Sequence, residues 1–260
     1  MPQGFQSVFQ WQRHDHPRLA EFRRAHALEH VVARADDEFS QMVALCEWTY
    51  RQFPWLMAPT CQTEDAVEIL RRAAQGHPFY CAHFAIVFVA AATALGWHAR
   101  PISLRREDHP DRASNHNVAE VWSSQWGKWV AFDPTLKHYI ARDGVPLNCY
   151  EVGREWVLGG GSQMVFVVGS ERKEYRRSDL PVVLAHHKEF GDLTINEPWT
   201  GAYACVAYIP TNCFLGEYPD RSMERWDDWP NLLILRGSRH GWRLPAEEMP
   251  PYYNPTFKRC

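Results

Sequence analysis

Three residues in this chain have side chains and positions suited to thiolate acyl-transfer chemistry: Cys81, His116 and Asp133. Cys81 lies in Gly76-His77-Pro78-Phe79-Tyr80-Cys81-Ala82-His83-Phe84-Ala85, at the start of a long apolar run with the character of a buried helix. Only a thiolate attacks a carbonyl well, and a free thiol is mostly protonated at neutral pH. Two influences can lower its proton affinity here: the positive end of the helix it opens, and an imidazolium held close by. Most cysteines are small apolar residues of a packed interior. Cys81 instead stands at the dipole end of its helix, behind a turn containing Gly76 and Pro78. A base and an orienting carboxylate complete the minimum equipment of such a nucleophile.

His116 sits at the front of Asn115-His116-Asn117-Val118-Ala119-Glu120-Val121-Trp122, and Asp133 ends Lys128-Trp129-Val130-Ala131-Phe132-Asp133 ahead of Pro134-Thr135. Both segments read as strands, so a hairpin through Ser123 to Gly127 sets them side by side. Loop length then decides which side chains share a face. An even loop puts His116 and Asp133 on one side. With two loop residues, Ser124 and Gln125, they are directly opposed; with four they are diagonal neighbours. An odd loop or a bulge separates them.

The elements that must position these groups follow from periodicity. Residues 17–34 carry helical spacing through Leu19, Phe22, Leu28 and Val31. A second amphipathic helix follows Asp36-Asp37 and ends before Pro54. A Pro/Cys/Thr-containing loop comes next. Thr63 is the expected N-cap of a third helix, Glu64 to Gln75, closed by Gly76. The fourth starts near Tyr80 or Cys81 and stops at Leu95-Gly96, apolar on nearly every face and so expected at the centre. The period then changes, with strands over 97–104, 115–122 and 129–132 and a polar surface loop over 105–112. Helices first and antiparallel strands afterwards is the order of an α+β domain, not of alternating βαβ units. Beyond residue 145, a short helix over Val152 to Leu158 and strands at 164–168, 182–184 and 204–209 are expected, before an irregular tail rich in Pro, Trp and Arg.

The 260 residues suffice for a full core, with 45% hydrophobic and 23% charged residues. A net charge of −3 without a basic block argues against dependence on nucleic acid or an anionic membrane. Twelve tryptophans supply large aromatic cores, or platforms for a sugar or peptide. The seven cysteines are odd in number, form no Cys-x-x-Cys pair and show no zinc-finger spacing. No basic-then-apolar pattern opens the chain, and its longest apolar stretch, about residues 84–95, is too short for a bilayer. Reduced cysteines in a cytoplasmic protein are the simplest expectation.

Taken together, the segments around the three residues resemble the transglutaminase-like superfamily, a papain-like group with Cys, His and Asp in that chain order. Its pattern of Cys-x-x-Phe-Ala opening a helix is matched by Cys81-Ala82-His83-Phe84-Ala85. Leu95-Gly96-Trp97-His98-Ala99-Arg100 matches the approach to the next strand, and His116 is followed four residues later by Glu120-Val121-Trp122. Trp129 and Asp133-Pro134-Thr135 complete the series, with spacings of 35 and 17 residues between the three reactive groups. The resemblance covers about residues 60–140, and the preceding helices look like the front of bacterial members. Trp97 stands where the family usually has Ile or Val, and Val118 where many members carry an aromatic residue.

The resemblance implies a papain-like α+β fold: N-terminal helices with a central buried helix on an antiparallel sheet, plus a C-terminal elaboration. It implies a catalytic core over residues 15–148, leaving 149–260 as an extension of unassigned role packed on the core. Cys81 becomes the nucleophile, His116 the base of its ion pair and Asp133 the group that orients the imidazole. The Cys81 N–H serves as one oxyanion donor, and Glu120 as structural support. No cofactor or metal is implied, and the substrate is a peptide or protein amide. Passing the acyl group to water makes an amidase or peptidase; passing it to an amine makes a transamidase. Hydrolysis is the preferred expectation, since bacterial-looking relatives include many hydrolases.

Two other readings were open. His77 and His83 flank Cys81, but residues two apart on a helix point to different faces and do not share a metal ion well. The alternative of another class is a non-catalytic module that keeps the fold and holds a protein or glycan on its Trp-rich C-terminal half. Arg100 is expected to pair with a structural carboxylate.

Overall fold

A computed structural model describes residues 11–54, 63–105, 115–187, 191–195, 203, 205–208, 211–215, 234–238 and 241–242. Most of the Pro/Cys/Thr-containing loop, of the polar loop expected over 105–112 and of the Trp-rich tail lies outside these, although Arg105 is described and ends a strand rather than opening the loop. Five helices come first: α1 (Pro17–Ala25), α2 (Leu28–Val32), α3 (Glu38–Arg51), α4 (Ala66–Ala73) and α5 (Cys81–Ala94). The expected single helix over 17–34 is broken, because Ala27 takes a left-handed conformation with φ of 47° and starts a new turn. The α4 cap is Asp65 rather than Thr63: its carboxylate accepts the N–H groups of Val67 and Glu68.

Strands follow as β1 (Ala99–Arg105), β2 (Asn115–Ser123), β3 (Lys128–Asp133), β4 (His138–Arg142) and β5 (Val145–Pro146). After α6 (Cys149–Gly159) come β6 (Val165–Val168), β7 (Lys173–Arg176), β8 (Val182–His187), β9 (Gly191–Ile195), β10 (Cys205–Tyr208), β11 (Ile234–Ser238) and β12 (Gly241–Trp242). Antiparallel pairing gives a sheet in the order β12-β11-β10-β1-β2-β3-β4-β6-β7, with β5 on β4, while β8 and β9 form a separate hairpin. The fold is α+β, as the order of periodicities implied.

Alternation along the central strands sorts side chains to two cores. Ala119 and Val121 of β2, Val130 and Phe132 of β3, and Ala141 of β4 face the helical layer. Val118, Ala131 and Ile140 from the same strands face the other way, toward Cys149 and Val152 of α6. Every residue of α5 except Ala82 is buried, with α1, α3 and α4 on one side and β1 and β2 on the other. An apolar helix without a polar face requires such enclosure. Among the described residues, no helix is long and apolar enough to cross a membrane.

Candidate active site

The β2–β3 hairpin decides whether His116 and Asp133 can meet. Ser123 pairs with Lys128, so the loop is the four residues 124–127. Val118 then lies opposite Asp133 by extension of the register, and His116 is its diagonal neighbour on the same face. The separation closes completely: His116 Nε2 lies 2.6 Å from Asp133 Oδ2, and both side chains are 2–3% exposed. The other oxygen of the carboxylate, Oδ1, accepts the backbone N–H of Thr135 at 2.9 Å and of Leu136 at 3.3 Å. That turn locks the carboxylate, which in turn fixes the ring.

With Nε2 committed to Asp133, Nδ1 is the ring nitrogen left to face Cys81, and the sulfur and the ring interact electrostatically. Burial pushes the Cys81 thiol up, but the hydrogen bond and positive charge of His116, with donors on Asn117, outweigh it. The thiol ends below a cysteine's ordinary value. Burial likewise disfavours the imidazolium, yet the charge and hydrogen bond of Asp133 and the sulfur raise His116 to about 10. Burial also pushes Asp133 up, and His116 brings it below the usual carboxylate range. All three shifts favour a thiolate beside an imidazolium beside a carboxylate.

The helix end contributes as well. Tyr80, the N-cap of α5, offers no side-chain hydrogen bond, and the first turn holds no acidic residue. By contrast α3, α4 and α6 are capped by Asp37, Asp65 and Asn148. The positive end of α5 is therefore left for whatever negative charge develops at Cys81.

All three residues singled out by sequence thus converge. Arg100 meets the carboxylate expected of it, as its guanidinium donates to Glu120 Oε2 from Nε at 2.9 Å and from Nη2 at 2.5 Å. The two face each other across β1 and β2, and the guanidinium also lies 4.0 Å over the Trp129 ring. His83 packs against Phe79, with ring centroids 4.9 Å apart, and takes no part in the cluster around the sulfur. Among the described residues no group of three potential metal ligands is assembled.

Two polar residues near the reactive groups were not marked by sequence. Asn117 Nδ2 donates to Cys81 Sγ at 3.5 Å. His138 faces Asp133 across the β3–β4 pair, with Nδ1 4.0 Å from Oδ2, and neither of its ring nitrogens has a hydrogen-bond partner. Asn117 adjoins His116 in the chain, so proximity alone was an available signal. His138 had none, because the strand carrying it is short and unpatterned.

Residues 25–134 match the model of the transglutaminase-like superfamily core. No curated protein matches the chain. A candidate cysteine protease from Cytophaga hutchinsonii is similar at 19% identity and a TM-score of 0.37, over 45% of this chain and 37% of that one. A candidate protease from Parabacteroides distasonis is similar at 10% identity and a TM-score of 0.33, over 64% of this chain and 31% of that one. The chain thus spans about a third of the length of either structure.

Proposed function

We propose that this chain, which carries a core of the transglutaminase-like superfamily over residues 25–134, is a cysteine-dependent enzyme that cleaves amide or peptide bonds through a thioester on Cys81. The observation that supports this reading is the buried His116–Asp133 pair, 2.6 Å apart, with the Cys81 sulfur at the start of α5 coupled electrostatically to the same ring. A buried histidine held by a carboxylate on one nitrogen and presented to a thiol on the other has the connectivity of a nucleophile, a base and its orienting group.

The Cys81 thiolate attacks the amide carbon, forming the S–C bond while the carbonyl electron pair moves onto oxygen. The N–H of Cys81 receives that charge, a role supported by the absence of a side-chain cap at the start of α5. Collapse of the intermediate expels the amine, which takes its proton from His116. The neutral ring then removes a proton from water as it attacks the thioester. Release of the acid restores thiolate and imidazolium. Asp133 keeps Nδ1 aimed at the sulfur and supports the charged ring throughout. The choice of water over an amine follows the resemblance to bacterial members, many of them hydrolases.

The test is a panel of peptide amides with product masses read in the presence and absence of a primary amine. A transient acyl mass on Cys81, with free acid as product even when amine is present, is the expected result. Amide product would reassign the enzyme to transamidation. Acylation absent from Cys81, with every donor tried, would overturn the reading.

A further inference from the structure

Strand geometry brings Asn117 to the sulfur of Cys81. The N–H of Trp122 donates to the carbonyl of His98, which sets the phase of hydrogen bonding between β1 and β2. Alternation then directs the main-chain N–H groups of Asn117, Ala119 and Val121 away from β1 and toward β3. Ala119 and Val121 find partners there in Phe132 and Val130, but the β2–β3 ladder ends at Ala119. Asn117 is the next residue of that set, two past the end, and the sulfur of Cys81 lies beside it. The side-chain amide of Asn117 bears on it, with Nδ2 donating at 3.5 Å.

The side-chain orientation has a cost that points the same way. Asn117 Oδ1 is buried without a hydrogen-bond partner, an arrangement uncommon in folded proteins. Turning the amide over would bring the acceptor to the sulfur and repel a thiolate. The amide is oriented for its nitrogen to meet a negatively charged acceptor, at the expense of its oxygen.

We propose that Asn117 is a further catalytic residue, a side-chain hydrogen-bond donor that holds the sulfur of Cys81 in its charged form. This rests on the reading of Cys81 as the nucleophile. His116 supplies the positive charge from one side, and Asn117 supplies a neutral donor that needs no proton transfer and stays in place when the ring has given its proton up. The thiolate released at the end of each cycle is thereby received by a preformed cradle.

The experiment follows the pH dependence of Cys81 alkylation by iodoacetamide, read by mass spectrometry, in the wild type, Asn117→Asp and Asn117→Ala. Asn117→Asp keeps the shape and removes the side-chain donor, so its midpoint should rise by more than one pH unit; Asn117→Ala should rise by roughly one. Midpoints unchanged in both, with the wild-type midpoint low, would overturn the role of Asn117 and leave Cys81 as nucleophile. A wild-type midpoint at a cysteine's ordinary value would instead sink the functional reading itself. Thermal melts identify a variant that does not fold. Independently of any Asn117 variant, the side-chain amide resonance of Asn117 in the 15N-labelled wild type should titrate with the alkylation midpoint and lose that step in Cys81→Ala. A resonance insensitive to Cys81 ionisation overturns the proposal.

Discussion

Cys81 and Cys149 occupy the same local position, the first residue of a helix behind an extended N-cap, yet their thiols move in opposite directions. Burial pushes both up. At Cys81 the neighbour is His116 with its positive charge, and the thiol falls below its ordinary value. At Cys149 the neighbour is the carboxylate of Glu120, and the thiol rises well above it. The helix ends differ accordingly. In α6 the Asn148 side chain accepts the N–H of Glu151, Glu151 reaches back to the N–H of Asn148, and Glu120 Oε1 accepts the N–H of Cys149 at 2.8 Å. In α5 no side chain caps the first turn. A helix N-terminus alone therefore does not make a reactive cysteine; the charge of its partner and the vacancy of the helix end decide.

The largest effect that could break this contrast is on turnover. Cys81→Ala should abolish it, by at least about 10⁴-fold, while Cys149→Ala should leave it within a small factor in the same assay. Comparable losses in both variants would show that the two helix ends are not distinct. Asp133→Ala should cost about 10³- to 10⁴-fold in kcat by freeing the ring of His116, with the fold checked by circular dichroism. The pH profile of kcat/KM should climb as the Cys81 thiolate forms, below a cysteine's ordinary range, and decline as His116 loses its proton near pH 10.

Stability sharpens the comparison from the other side. Glu120→Gln removes a buried carboxylate that pairs with the Arg100 guanidinium and should cost roughly 3–5 kcal/mol in urea unfolding. An effect of comparable size per ring should appear in acid. Burial holds His83 and His138 at about 4 in the folded chain, whereas both take up protons near 6.5 when unfolded. The unfolded state therefore binds more protons between those values, so stability falls as pH drops from about 6.5 toward 4, by roughly 3 kcal/mol for each ring. His138→Gln should flatten its share of that slope. Least of all, Asn148→Ala should remove about 1 kcal/mol by deleting the α6 cap.

How much of this was legible in the sequence depends on how local the cause is. The apolar run of α5, the strands β1 to β3 and the residues Cys81, His116 and Asp133 were readable because each carries its own pattern. The sequence left two, four or an odd number of loop residues open, and pairing of Ser123 with Lys128 selects the four-residue, diagonal case. The break at Ala27 was hidden, since alanine announces no left-handed turn. The strand His138–Arg142 was hidden because its five residues, four of them buried, show no alternation of polar and apolar side chains. With it went His138 and its approach to Asp133. Asn117 was invisible for another reason: its role depends on where the β2–β3 ladder stops, a property of two strands that neither shows alone.

The most direct measurement titrates the ultraviolet absorbance of thiolate in the wild type against Cys81→Ala. Their difference should show a thiolate already present at neutral pH and lost only on acidification, in step with protonation of the sulfur beside a charged His116. A difference that emerges only in the alkaline range of an ordinary cysteine would contradict the ion pair.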